Sequence, residues 1–581
     1  MPPARALAVG TRESQDHEAS ERHRYPTLSM RALQRCIPPL LAAALVLPFA
    51  LWQNAWFEWA NPLWLLENQS EWVRTHGLPT PYLHAPNQVF YLFHLFYAGG
   101  LLGVLAYPTL VLGPWPVFLA ATVTAFVVAQ QSIAWLARSL GVDRALASVL
   151  GLGFVTAPYV VAMLYGRGAW TELVAMAGVT LAVAGAAERL TSGAPRRRAL
   201  AAVVVGVAVV AATHNLALVF ALPLASMTLL IALWVRGTTF AARAVLITLA
   251  GAVLGGGLTA VMLFPNLWLS RWTWIAQPGL TSFFLNRLAD FHSTTMVLRP
   301  WPAVPASEAA NSGVYVQTAV PLLLWLTAAL VAWRPRRRPS GGALALAALG
   351  VVLIVAIVNP TWWLHLPVAL QSIQFPFRLV TWLTFVIVVG CALVAGAEPQ
   401  RPRWLAPSLV GVIGLQAAIA LLIAFGTDAR ALSNSVPLRQ DDISAGRVPR
   451  SFGAPGYAQP VQFRLTGSEP RPVEQVVAAQ RLLDPPDEIT LRGREPAGTR
   501  LATNVVDSPL VRYEGSARKI GRDNTGFAVL EILPHTGAAW EVTVRPRAPL
   551  PVVAGRVVSA LSALALIGWM VAAGLRRRRA R

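Results

Sequence analysis

Ionisable and amide side chains interrupt apolar sequence at four places in this chain. Tyr165-Gly166-Arg167-Gly168-Ala169-Trp170-Thr171-Glu172 lies between two membrane-length apolar runs. Residues 54–94 hold Glu58, Glu67 and Glu71 with Arg74, His76 and His84. His214-Asn215 breaks a long apolar stretch, and Gln371-Ser372-Ile373-Gln374-Phe375-Pro376-Phe377-Arg378 precedes another. Charged groups are costly inside a bilayer, so they usually face a cavity and mark a working site. A carboxylate there can take the proton of an attacking hydroxyl or hold a metal at a phosphate. The planar fork of Arg167 or Arg378 suits a phosphate. Each island also has a plainer reading: solvated loop charges, an Arg167–Glu172 pair pinning two helix ends, His214 and Asn215 as caps, Arg378 snorkelling to headgroups.

The elements that must position these groups are membrane helices. The chain has 581 residues, 55% of them hydrophobic and 13% charged, and repeated apolar runs of spanning length. The fold class is therefore a polytopic α-helical membrane protein with about 12–13 spans. Residues 1–35 read as a disordered cytoplasmic tail and 36–425 as the multi-span domain, with outer loops at 54–87 and 269–314. Expected spans fall near 36–53, 88–112, 114–138, 143–164, 169–188, 199–214, 216–235, 243–268, 315–333, 342–359, 379–397, 404–425 and 551–575. The aromatic segment Gln88–Tyr97 also fits an interfacial or re-entrant stretch, because two full spans between 88 and 142 leave the count of crossings inconsistent.

Arginine placement orients the whole. The formal charge of +21 gathers at Arg196-Arg197-Arg198, Arg334 to Arg338, Arg401/Arg403 and Arg576–Arg579, beside apolar runs. That pattern sets topology and contact with anionic lipid rather than nucleic-acid binding. Both termini are then cytoplasmic, and the four polar islands share the outer side. Cys36 and Cys391 sit in apolar runs, with no disulfide framework or zinc spacing. Residues 426–550 change to short alternating segments such as Val461–Leu465, Glu488–Leu491 and Trp540–Val544, which predicts a small β-rich outer domain. A last helix at 551–575 and a basic tail at 576–581 follow.

Several of these strings together resemble a bacterial polytopic membrane-protein family named for a relation to 6-pyruvoyl-tetrahydropterin synthase. They are His76–Tyr82, Phe93–Gly99, Tyr165–Glu172, Thr213-His214-Asn215 and Gln374–Arg378, with Asp523–Val544 similar to the family's β-rich tail. That family in turn is similar to type C (GT-C fold) glycosyltransferases. The resemblance implies transfer of a sugar from a polyprenyl-phosphate donor to an envelope glycan or lipid acceptor at the outer face of the cell membrane. It implies Arg167 and Arg378 at the donor phosphate and Glu58, with Glu67 in reserve, as the base. Glu172 would orient Arg167 or help hold a divalent cation, with Tyr165, Trp170, His214, Asn215 and Gln374 in support and the β-rich domain at the acceptor. Many type C enzymes carry an aspartate in the first outer loop, whereas residues 54–87 contain none. A lipid-linked glycan transporter and a non-catalytic assembly scaffold with this fold stay open as alternatives.

Overall fold

The structure, a computed structural model, describes residues 30–52, 59–85, 88–91, 95, 98–165, 168–192, 197–270, 341–358, 360–367, 370, 376–396, 404–426, 475–477, 488–523, 527–534 and 539–579. Two short helices open it, α1 (Met30–Ala44) and α2 (Leu47–Trp52), followed by α3 (Ala60–His76). The strands β1 (Leu83–Ala85) and β2 (Gln88–Tyr91) lead to α4 (Gly99–Leu112) and the long α5 (Pro114–Ser139). Then come α6 (Arg144–Val155), α7 (Pro158–Tyr165), α8 (Trp170–Ser192), α9 (Arg197–Thr213) and α10 (Leu222–Val235). The helices α11 (Ala242–Leu258), α12 (Ala260–Ser270), α13 (Gly341–Val358), α14 (Val380–Ala395) and α15 (Leu405–Gly426) complete the bundle. After a strand-rich region, the chain ends in α16 (Leu550–Arg579).

Five stretches among the described residues are long and apolar enough to cross a membrane, or seven if each of two bent helix pairs counts as one span. One of those pairs is α6 with α7, and the other is α11 with α12, which meet at 80°. Four shorter apolar helices accompany them. The expected span at 315–333 lies outside the described residues, as do 1–29 and the loop 271–314. One expectation needs correction. The run 88–112 is not one helix: it starts as β2, and its helix begins only at Gly99. The loop expected at 54–87 contains the whole of α3.

α8 is the spine of the bundle, buried along most of its length between α5 and α9. Small residues make that packing close. A Cβ on Gly206 of α9 would lie 2.5 Å from the Gly178 carbonyl of α8, and one on Gly185 of α8 would lie 2.5 Å from the Ala199 carbonyl. Helices in lipid gain little from apolar burial against each other, so such backbone approach supplies the dispersion contact instead. α16, by contrast, packs only along one side, against α11 and α12, and leaves most of its apolar surface outward, where lipid fits.

The β-rich domain is built from β3 (Gln475–Val477), β4 (Ile489–Gly493), β5 (Arg500–Val506), β6 (Val511–Gly515), β7 (Ala517–Arg522), β8 (Phe527–Ile532) and β9 (Trp540–Pro546). One sheet runs β1-β2-β5-β8-β7 with β3 also on β5, and the other runs β4-β9-β6. Trp540, Leu491, Leu501, Leu530 and Val542 fill the space between them. The strands near 488–491 and 540–544 lie where alternation places them, while Val461–Leu465 is outside the described residues. The hairpin β1–β2, which follows α3, joins the larger sheet, with Val89 opposite Val505 in a parallel pairing. The Tyr82 hydroxyl donates to the Leu510 carbonyl at 3.2 Å, a second tie between that segment and the domain. Replacing Gly206 by Leu is expected to destabilise the bundle by about 1–3 kcal/mol through overpacking, read as a lower melting temperature of the detergent-solubilised protein; an unchanged value would contradict the close α8–α9 approach.

Candidate functional site

Glu172 sits in the first turn of α8, where the helix N-terminus favours a carboxylate. Opposite it, Pro376–Leu379 forms a 3-10 turn that opens α14 and carries Arg378 inward. Arg378 Nε lies 2.7 Å from Glu172 Oε1, with the two side chains 15% and 11% exposed. Those two atoms meet as an ionic contact and not as a well-aligned hydrogen bond. His214 completes the group, its Nε2 3.9 Å from the same Glu172 oxygen. The Ala217 amide donates to His214 Nδ1 at 3.3 Å, so Nδ1 is the acceptor and Nε2 bears the proton of the neutral ring.

These three polar residues line one cavity of about 50 Å³, with Met163, Met176, Phe220 and Trp382 supplying apolar wall. Its floor is a π-helical turn, Ala217–Ala221, placed between His214 and α10. A π turn admits an extra residue and widens the helix locally, a feature that often occurs at functional sites. No periodicity in the sequence marks it. Chemically, the cavity offers a guanidinium held by a carboxylate in a mostly apolar surround, a place where an anion with an apolar tail can compete for the arginine.

The other expected site residues disperse. Glu58, Arg167 and Gln374 lie outside the described residues. Asn215 lines a different, much smaller space of about 10 Å³ with Asn266, Thr213 and Gly99. Tyr165 donates its hydroxyl to the Leu45 carbonyl and accepts from the Phe49 amide at 3.3 Å, so it fixes α7 against the first helices. Trp170 donates from Nε1 to Thr122 Oγ1 at 2.9 Å and stacks on Phe118 with ring centroids 4.8 Å apart. From Phe118 the aromatic contact continues to Trp115 at 6.2 Å and Trp59 at 5.7 Å, reaching the start of α3. Tyr165 and Trp170 therefore do packing work around the site.

Glu67 lies on α3 and does not line the Glu172 cavity. Its Oε2 is buried without a hydrogen-bond partner among the described residues. Burial, and secondarily the nearby Glu71, pushes its carboxyl from an ordinary 4.5 up to about 7. Glu71 itself pairs with Arg74 on the exposed face of the same helix. A carboxylate poised near neutrality is suited to accept a proton at physiological pH. A divalent cation fits this site poorly: Glu172 and His214 are two donors beside a guanidinium, and no group of three His, Cys, Asp or Glu side chains able to hold a metal occurs among the described residues.

No family model matches the chain, and no curated protein does. Among solved structures it is similar to the archaeal oligosaccharyltransferase AglB from Archaeoglobus fulgidus, determined in complex with an inhibitory peptide and a dolichol-phosphate. Identity is 11% and the TM-score 0.38, over 77% of this chain and 62% of that one. A likeness at that level fixes neither fold nor chemistry.

Two outcomes follow from the geometry. Removing one partner of a buried ion pair strands the other charge, so Arg378→Ala is expected to cost about 3–5 kcal/mol. The double variant Glu172→Gln with Arg378→Gln recovers much of that loss, and equal melting temperatures for single and double variants would argue against the pairing. Glu67 binds its proton more tightly folded than unfolded, so its contribution is full below about pH 4.5 and is lost as pH rises through about 7. Glu67→Gln should therefore flatten the decline in melting temperature between those values; parallel profiles would show the carboxyl is not raised.

Proposed function

We propose that this chain is a membrane glycosyltransferase that takes a sugar from a polyprenyl-phosphate donor and passes it to a cell-envelope glycan or lipid acceptor at the outer face. The observation that carries the reading is Arg378 held by Glu172 and flanked by His214 in one apolar-walled cavity at the end of the bundle. A phosphate with a long isoprenoid tail matches both halves of that surround. The guanidinium exchanges the carboxylate for the donor phosphate, and the apolar wall accepts the first isoprene units.

In this reading the acceptor hydroxyl attacks the anomeric carbon, forming the new C–O bond as the bond from carbon to the phosphate oxygen breaks. The electron pair leaves with the polyprenyl phosphate, and Arg378 offsets the charge that develops there. The acceptor proton passes to a base outside the donor cavity, and Glu67 on α3, its carboxyl raised to about 7, is the candidate for an acceptor that spans the two positions. Glu172, displaced from Arg378, turns to His214 Nε2 and keeps its charge compensated. The β-rich domain, anchored to the first outer loop through β2 and Tyr82, would present the glycan acceptor near α3. Arg167 and Glu58 remain candidates for a second phosphate contact and an alternative base.

The test is radiolabelled transfer from defined polyprenyl-phosphate sugars by the full chain in lipid nanodiscs. Arg378→Lys keeps the charge but loses the fork, and is expected to lower transfer about 100-fold. Glu67→Gln should lower it on the order of 100-fold and abolish the rise in rate as pH climbs through neutrality. Transfer unaffected by either substitution would overturn these roles. A folded protein that transfers no sugar from any donor would overturn the enzymatic reading itself.

A further inference from the structure

The opposite end of α8 carries a second polar cavity that the transfer reaction does not use. Its volume is about 470 Å³, and it is lined by Arg138, Arg198, Arg236, Glu188, Ser192 and Trp135 together with a few hydroxyl groups. Glu188 follows Glu172 by sixteen positions along α8, roughly 24 Å at the helical rise, so the two cavities are distinct. The arginine distribution assigns this end to the cytoplasmic side of the membrane.

The three guanidiniums differ in what holds them. Arg198 is committed: its Nε and NH2 reach the two oxygens of buried Glu188 at 3.2 and 2.6 Å, and it sits over the Trp135 ring at 5.5 Å. Arg138 is half-buried and makes no hydrogen bond or ion pair among the described residues. Arg144 and Arg198 are its like-charged neighbours, and Glu188 is its opposite. Arg236 caps α10 and lies against Gly141 and Gly396, so close that a Cβ on Gly141 would stand 2.6 Å from its NH1. Ser192 Oγ, a wall of the same cavity, is buried without a partner among the described residues.

Three guanidiniums against one carboxylate leave a formal surplus of two positive charges facing an open cavity. The C-termini of α5 and α10 meet here, and each favours a nearby cation, which explains why Arg138 and Arg236 are stable at these positions, while Arg198, in the first turn of α9, is held by Glu188. Helix ends do not explain a roomy cavity between spans or an unsatisfied hydroxyl at its wall. We propose that this cavity is a binding site for a phosphate monoester, with Arg138 and Arg236 as its primary contacts, Ser192 as a donor and the Arg198–Glu188 pair as a rigid wall. Basic pockets between spans on the cytoplasmic side suit anionic phospholipid headgroups, and Trp135 is an aromatic of the kind that sits at headgroup depth. The same chemistry would accept a free phosphate.

The test uses the full chain in detergent, with phosphatidic acid, phosphatidylcholine and inorganic phosphate as probes. Native mass spectrometry is expected to show phosphatidic acid retained over phosphatidylcholine by on the order of tenfold. Arg138→Gln should remove that preference. Arg236→Gln, a change at an exposed side chain that leaves the fold intact, should weaken it severalfold. If equilibrium dialysis shows inorganic phosphate bound, displacing the lipid and lost in both variants, the site stands and its ligand is a soluble phosphate. Equal retention of both lipids, or a preference that Arg236→Gln and Arg138→Gln both leave unchanged, overturns the proposal.

Discussion

A carboxylate and a guanidinium buried together against apolar side chains constrain everything around them. Glu172 and Arg378 arrive from different helices, and neither can lose the other inside a low-dielectric bundle without leaving a charge uncompensated. The requirement fixes the register of α8 against α14 and holds the π turn beneath them. It also gives the pair a natural function. An arginine whose counter-charge sits 2.7 Å away can release that partner only to another anion, so in the proposed reading the ion pair is a placeholder for a charged ligand. His214, hydrogen-bonded at Nδ1, keeps its Nε2 directed at the carboxylate and so offers Glu172 somewhere to go.

The rest of the bundle can be understood as support for that pair. α8 is tied on one side by backbone approach at Gly178 and Gly206, and on the other by Trp170, which stacks on Phe118 and hydrogen-bonds Thr122. Tyr165 bolts the preceding helix to α1 and α2. With its ends and flanks fixed in this way, α8 holds Glu172 within reach of both Arg378 and His214, so an exchange of partners needs only a turn of the side chain. Pre-organisation of that kind keeps the cost of ordering low at the moment of binding.

Sequence revealed the ingredients better than their pairing. Apolar runs broken by Glu172, His214 and Arg378 stand out because a charge in a membrane-length segment is costly, and that signal needs no structure. The partner of Glu172 did not stand out. The chain delivers Arg378 to it from beyond α13, while Arg167, the neighbour that spacing suggests, lies outside the described residues. Asn215 adjoins His214 in sequence, yet the chain turns between them and sends the two to separate cavities. The β-rich domain was legible from alternation at 488–491 and 540–544. The entry of β2 into its sheet was not, since a parallel pairing of Val89 with Val505 leaves no local trace. Glu67 looked like any loop carboxylate; only burial on α3 distinguishes it from Glu71, one turn away and exposed.

The distribution of charge along α8 bears on how the molecule works. Between Glu172 and Glu188 the helix reads Leu173-Val174-Ala175-Met176-Ala177-Gly178-Val179-Thr180-Leu181-Ala182-Val183-Ala184-Gly185-Ala186-Ala187, with no ionisable side chain. Most of that stretch is buried, and its glycines and alanines draw α9 into direct backbone contact. A device that carries a charged glycan through the bilayer needs polar groups at intermediate depth and a seam that opens. This seam is closed by the contacts that hold the spine together, and separating α8 from α9 would forfeit packing that lipid cannot replace. Polar chemistry is therefore confined to the two ends of the helix. That arrangement along α8 favours the proposed reaction with a lipid-linked ligand at one end of the helix over the movement of a substrate between its two ends.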